Sequence, residues 1–123
     1  MKTCRECGDL LEVGDNWTEG FKNARQYICN PCSARKYNER RRVLKQEAID
    51  YLGGKCTDCG VSYEHQAVYD FHHIDPSLKT ATPSDLIRGL KRDMIFKEIE
   101  NCELLCSNCH RIRHANEHIG GAS

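Results

Sequence analysis

The chain has 123 residues and a formal net charge of zero, its 18 Lys and Arg balanced by 18 Asp and Glu. Only 39% of it is hydrophobic, with three Phe and one Trp. That length suits one small domain or two very small ones, and that composition excludes a fold held by a large apolar core alone, a membrane span and a uniformly basic surface.

Nine cysteines offer the missing stability, and eight of them form four Cys-x-x-Cys pairs: Cys4/Cys7, Cys29/Cys32, Cys56/Cys59 and Cys106/Cys109. The chain opens MKTCRECGD, without the apolar stretch of a secretion signal, so a cytoplasmic protein is expected (host cytoplasm, if phage-encoded). In that setting paired knuckles favour two tetrahedral structural zinc ions over disulfides.

Residues 1–32 read as a zinc ribbon. Cys4/Cys7, followed by Gly8, and Cys29/Cys32, preceded by Tyr27 and Ile28, bracket a polar stretch in which Trp17, Phe21 and Tyr27 can cluster under the metal. Without zinc this piece has too few apolar residues to fold. Residues 33–54 predict a connecting helix and its stop: Ser33 caps it, Ala34, Tyr37, Leu44, Ala48 and Leu52 recur near helical spacing, and Gly53-Gly54 ends it. Arg35, Lys36, Arg40, Arg41, Arg42 and Lys45 stand on it against the single acid Glu39. Such a stripe suits contact with DNA phosphates, and equally a solvated helix face.

Residues 55–123 form the third segment. Cys56/Cys59 opens it, and QAVYDFH, residues 66–72, predicts a strand that ends at His72 and His73, with Asp75-Pro76 breaking it. A polar loop from Ser77 to Pro83 precedes a helix from Ser84 to about Glu100, with Leu86, Ile87, Leu90, Met94, Ile95 and Ile99 inward and Gly89 weakening its continuity. Ser107 to about His118 predicts a last helix closed by Gly120-Gly121. One zinc shared by Cys56/Cys59 and Cys106/Cys109 would pin the start of this segment to that helix, a structural clamp with no open ligand position. His110 and His114, at i and i+4, share a helical face and can reach one metal. Of His72 and His73, one can join them while the other takes a proton from water, since the ordinary imidazole pKa is about 6.5. Cys102, the unpaired cysteine, reads as a buried apolar residue, and His65 and His118 as surface groups.

The run FHHIDP (Phe71 to Pro76) with ENCELLCSNCHRIRH (Glu100 to His114) resembles the HNH, or ββα-metal, nuclease family. CTDCG (Cys56 to Gly60) is similar to the subgroup in which a four-cysteine zinc braces the motif, and the resemblance spans about Gly54 to His118. The N-terminal ribbon and basic helix look like accessory segments of small phage members. The resemblance implies a small zinc-stabilised α+β fold with a ββα-metal core, and a DNA endonuclease that leaves a 5′-phosphate and a 3′-hydroxyl. It implies that His72, His110 and His114 hold a catalytic divalent ion, that His73 is the general base, and that Asn101 tethers the loop carrying His73 and fixes its ring.

Three imidazoles favour zinc, nickel or manganese; if Asp75 also ligates, which is less natural for it than a turn role before Pro76, magnesium fits better. Arg111 and Arg113, flanking the metal helix, suit phosphate contacts or a solvated face. One such site cuts one strand, so a monomer nicks, and double-strand cleavage needs a homodimer or two events. A phage-type homing or DNA-processing role is the preferred reading. The alternative is a non-catalytic zinc-binding adaptor for DNA or protein on the same scaffold.

Overall fold

A computed structural model describes residues 1–118, without the side chain of His118; the expected Gly120-Gly121 stop lies outside the described residues. The fold is small and mixed α+β, with one two-stranded sheet and two four-cysteine clusters. Contacts divide the chain into Met1–Arg40 and Arg41–Ser123. No helix of the described residues is long and apolar enough to cross a membrane.

In the first unit, isolated bridges join Thr3 to Leu10 and Val13 to Trp17. A short helix α1 (Glu19–Asn23) follows, capped by the Thr18 hydroxyl, which accepts the Phe21 N–H at 3.0 Å. Cys4, Leu11, Trp17, Ile28, Cys29 and Cys32 form the buried cluster, with Phe21 and Tyr27 packed against it. The Trp17 indole N–H is satisfied by the Gln26 carbonyl at 2.8 Å. Half of that buried cluster is cysteine, so its cohesion depends on what the sulfurs bind.

Helix α2 (Asn30–Tyr51) begins inside the second knuckle, three residues before Ser33. Cys32 thus lies in its first turn, and the helix takes its start from the knuckle and not from a Ser33 cap. The boundary between the two units falls within it. It ends where Gly53 and Gly54 adopt φ of 102° and 71°, their N–H groups donating to Asp50 and Ile49 carbonyls. Only glycine takes this left-handed conformation without strain.

In the second unit, a 3-10 turn over Gln66–Val68 precedes strand β1 (Tyr69–His73), which therefore starts later than its β-rich sequence suggests. The Gln66 side chain draws that turn onto α2, donating to the Arg42 carbonyl at 2.6 Å and the Gln46 amide oxygen at 3.2 Å. The expected helix from Ser84 is two helices, α3 (Pro83–Arg88) and α4 (Arg92–Ile99). Between them Leu90 has φ of 53°, and the Lys91 N–H returns to the Leu86 carbonyl at 3.0 Å. Gly89 and this left-handed turn re-aim the chain, which leaves Met94 51% exposed instead of inward.

Strand β2 (Cys102–Cys106) pairs antiparallel with β1 in the register Tyr69↔Cys106 to His73↔Cys102. Helix α5 (Ser107–His118) follows it directly. Alternation puts Tyr69, Phe71 and His73 on one face of β1, and Asp70 and His72 on the other. Tyr69 and Leu104 pack on Ile49 of α2, while Cys102 joins Leu44, Ala48, Leu86, Ile87, Ile95 and Ile99. A third cluster, Leu105 with Cys56 and Cys106, sits beside Cys109 of α5.

Candidate metal centre

Among the described residues, three groups of side chains able to ligate a metal have their donor atoms within 4.8 Å of one another: Cys4, Cys7, Cys29 and Cys32; Cys56, Cys59, Cys106 and Cys109; and His72, His110 and His114. In the cysteine groups, Cys7 Sγ lies 3.7 Å from Cys29 Sγ and Cys59 Sγ lies 3.8 Å from Cys106 Sγ. A disulfide needs about 2.05 Å. Four sulfurs at about 2.3 Å from a central zinc stand about 3.8 Å apart along a tetrahedron's edges. The geometry therefore suits two structural ions such as zinc, and all nine cysteines are free thiols.

The knuckles share a backbone design. Gly8 and Gly60 take φ of 82° and 74°, and their N–H groups return to the carbonyls of Cys4 and Cys56 at 2.9 Å. Burial works against ionisation of Cys4, but N–H groups of Cys29, Cys7 and Glu6 outweigh it and bring the thiol down to about 6. In the second cluster burial of Cys56 is likewise outweighed by N–H groups of Cys59, Cys106 and Asp58, again giving about 6. Cys32 is pushed up to about 12, by neighbouring Cys29 and by burial, and Cys109 is raised by Cys106 and by burial. One thiolate forms readily and the next is repelled, a conflict that a central cation resolves.

The histidine group is assembled from two elements. His72 comes from β1, and α5 brings His110 and His114 one turn apart on one helical face. Ring centroids lie 5.3 Å (His72–His110), 6.1 Å (His72–His114) and 4.6 Å (His110–His114) apart. Nε2 of His110 and Nε2 of His114 are 3.0 Å apart, aimed at a common point. Asp70, two residues before His72 and hence on the same strand face, reaches Nδ1 of His110 with Oδ2 at 3.1 Å. An ionised carboxylate there accepts the Nδ1 proton and leaves the Nε2 lone pair for a cation. Desolvation, then the charges of His110 and Arg113, lower the pKa of His72, which favours the neutral, ligating imidazole. Three nitrogen donors with His114 exposed leave coordination positions open to water or substrate, unlike the cysteine groups.

His73 stands apart from this trio. Its ring turns to the opposite face of β1, where Nε2 lies 2.8 Å from Oε1 of Glu98, with side chains only 10% and 6% exposed. Glu98, on α4, also accepts the Thr80 hydroxyl at 2.5 Å and the N–H groups of Thr80 and Ala81 at 3.1 and 3.4 Å. The Thr80 hydroxyl above all, joined by His73 and those N–H groups, overcomes burial and holds the Glu98 carboxyl down at about 2.

Asn101 ties down the chain just after His73: its Nδ2 donates to the Asp75 carbonyl at 2.9 Å, its Oδ1 accepts the Asp75 N–H at 3.2 Å, and its own carbonyl accepts the Ile74 N–H at 2.7 Å. The tether is to backbone; among the described residues the His73 ring bonds to Glu98 and not to Asn101. Asp75 is a turn residue, its carboxylate accepting the Ser77 N–H and hydroxyl, and it is no member of the histidine group. Cys102 is buried, its thiol donating to the Glu98 carbonyl at 3.7 Å, and His65 is exposed.

The cationic residues divide. Arg113 is committed within the fold: its guanidinium donates to Asp58 at 2.8 and 2.5 Å and to Glu103, tying α5 to the first knuckle loop of this unit and to β2. Arg111 beside it is exposed. In the first unit Arg35 donates to Cys32 Sγ at 2.8 Å and Lys36 pairs with Glu6, both within reach of the cysteine cluster, while Arg40 is exposed. In the second, Arg41, Lys45, Ser84, Ile87 and Arg88 line a pocket of about 180 Å³. Burial lowers the pKa of Lys45, and the nearby Asp70 charge opposes that shift. Arg42 is exposed.

Asp70 and Glu98 are absent from the sequence-based site. Asp70 carried a signal, two residues before His72 in a strand. Glu98 carried none, because the turn that brings α4 to β1 is not written locally. No family model matches the chain, and neither does any curated protein or solved structure.

Proposed function

We propose that this chain is a metal-dependent HNH-type endonuclease that hydrolyses phosphodiester bonds in DNA. The observation that carries the reading is the convergence of His72, His110 and His114 on one point with Asp70 behind His110, which fits an open, exchangeable site for zinc, nickel, manganese or magnesium. In this reading β1, β2 and α5 are the ββα core, braced by the Cys56 zinc cluster, and residues 1–32 are a zinc ribbon.

A divalent ion on these three imidazoles would stabilise charge on the phosphate oxygens and on the leaving 3′ oxygen. The remaining chemistry belongs to the chain. His73 takes a proton from water as that water adds to phosphorus. The bond from phosphorus to the 3′ oxygen breaks, that oxygen takes a proton from solvent, and the products are a 5′-phosphate and a 3′-hydroxyl. Asn101 holds the backbone that carries His73. Arg41 and Lys45, with Arg88 in the same pocket, and exposed Arg42, Arg40 and Arg111 supply cations for flanking phosphates. Arg113, partly buried between Asp58 and Glu103, weighs less in that role. Free cysteine knuckles suit the reducing cytoplasm, where a phage-type homing or DNA-processing nuclease would act.

One observation favours the second reading, a non-catalytic zinc-binding adaptor: the His73 ring is largely buried against Glu98, as a structural ion pair would be. Incubation of supercoiled plasmid with the protein and each of the four metals separates them. The nuclease reading expects nicks that DNA ligase reseals without end repair, the mark of a 5′-phosphate beside a 3′-hydroxyl. Binding to DNA without any cutting, whichever metal is added, favours the adaptor.

A further inference from the structure

Glu98 is the single charged residue in the buried core of the described chain, and the chemistry outlined above gives it no task. It is not a metal ligand: it lies outside all three donor groups. Its two oxygens receive the Thr80 hydroxyl, two backbone N–H groups and the His73 ring. Three of those partners are fixed donors from the loop before α3. They orient the carboxylate, and the histidine is the one partner whose protonation is a matter of choice.

We propose that Glu98 is the positioning residue of the catalytic base: by accepting from Nε2 of His73 it selects the tautomer whose Nδ1 takes the proton from water. The inference rests on the nuclease reading. Its logic needs only hydrogen-bond chemistry. An ionised carboxylate accepts and cannot donate, so a neutral imidazole bonded to it at 2.8 Å must carry its hydrogen on Nε2. A neutral imidazole has one hydrogen, so Nδ1 keeps its lone pair. Thr80 and Ala81 hold the carboxylate in its ionised form, about 2 against an ordinary value of 4.5. Asn101, in the turn after α4, fixes the backbone after His73, and Glu98, on α4, fixes the ring, so backbone and side chain are held by different residues. Low exposure of both groups strengthens the pairing and keeps bulk water from competing for Nε2.

This duty is separable from a merely structural one. Glu98→Gln keeps size and can still meet the Thr80 hydroxyl, but its amide can turn a donor toward Nε2 and stabilise the opposite tautomer. We expect kcat for plasmid nicking to fall by about 100-fold or more, with KM and metal content unchanged, since a positioned base contributes about that much. In a His73→Ala background the same substitution should have almost no further effect, because the two residues act as a unit. Long-range proton–nitrogen NMR correlations on wild-type protein read the tautomer without any cleavage. They should show the His73 hydrogen on Nε2; a hydrogen on Nδ1 overturns the inference even if Glu98→Gln does not fold. Wild-type protein that cuts, with Glu98→Gln cutting at the same kcat, overturns the role of Glu98 alone. Wild-type protein that cuts with none of the four metals overturns the nuclease reading, and the inference falls with it.

Discussion

Asp70 and His110 are joined by a hydrogen bond of 3.1 Å between Oδ2 and Nδ1, although 40 positions separate them in the chain. The bond turns Nε2 of His110 toward His114 and His72. A carboxylate behind a ligating imidazole fixes its tautomer and raises its basicity. Asp70→Ala should therefore weaken binding of manganese or zinc at the histidine group by about 10- to 100-fold. Titration calorimetry on protein with its cysteine clusters filled checks this; equal affinity in both proteins would deny the bond any role in the site.

The cysteine clusters are expected to behave as folding elements. Elemental analysis of purified protein should find two tightly held zinc ions per chain, and a strong chelator should abolish the near-ultraviolet signal of Trp17 as they leave. Cys32→Ser should disorder the first unit, and Cys106→Ser the second. Full retention of structure after both ions are stripped would show that the sulfurs hold nothing structural.

Arg111 and Arg113 are neighbours of one type with different expected effects. Arg113→Ala breaks the links to Asp58 and Glu103 and should lower stability by about 1–2 kcal/mol in urea unfolding. Arg111→Ala should leave stability within about 0.5 kcal/mol. It should instead weaken DNA binding and reduce the slope of log K against log salt by about one unit. Reversed assignments would place Arg111 in the fold and Arg113 on the nucleic acid.

The sequence made the ligand groups readable because their spacings are local: Cys-x-x-Cys places two sulfurs on one knuckle, and i, i+4 puts His110 and His114 on one helical face. The core of the first unit was legible in part: Trp17, Phe21 and Tyr27 are the aromatic groups between its knuckles, but Leu11 and Ile28 complete the buried cluster and Phe21 and Tyr27 only pack against it. What escaped was set by distant contacts. Gln66 reaches across to α2 and converts the start of a β-rich run into a turn, and Leu90 in a left-handed conformation splits what reads as one helix. Strand β2 was not read from the sequence; the family resemblance implied a ββα core without placing its second strand, because CELLC is too short and too flanked by polar residues to announce itself. Glu98 went unnoticed on an amphipathic helix, where a glutamate is ordinarily a solvated group; the loop at Thr80 that encloses it has no local signature.

Glu98 also predicts a pH dependence. Its carboxyl sits at about 2 in the folded chain against an ordinary 4.5, mainly through the Thr80 hydroxyl. Between those values the unfolded chain binds the extra proton, so stability from this group rises with pH there and is fully present above about 4.5. It is lost as pH falls toward 2. The stability advantage of wild type over Glu98→Gln in urea should be constant from pH 7 to 5 and shrink below that. An advantage that grows on acidification would mean that Glu98 is protonated in the native state.

The central claim, a third exchangeable ion at His72, His110 and His114 that DNA cleavage requires, meets its most direct test in one paired measurement. Wild type and His110→Ala are compared for plasmid nicking with added manganese, with metal content determined on the same samples. The account predicts two zinc ions in both proteins, and a third bound ion and nicking only in wild type. Equal nicking by His110→Ala, or a third ion in wild type that brings no cleavage with any of the four metals, would contradict it.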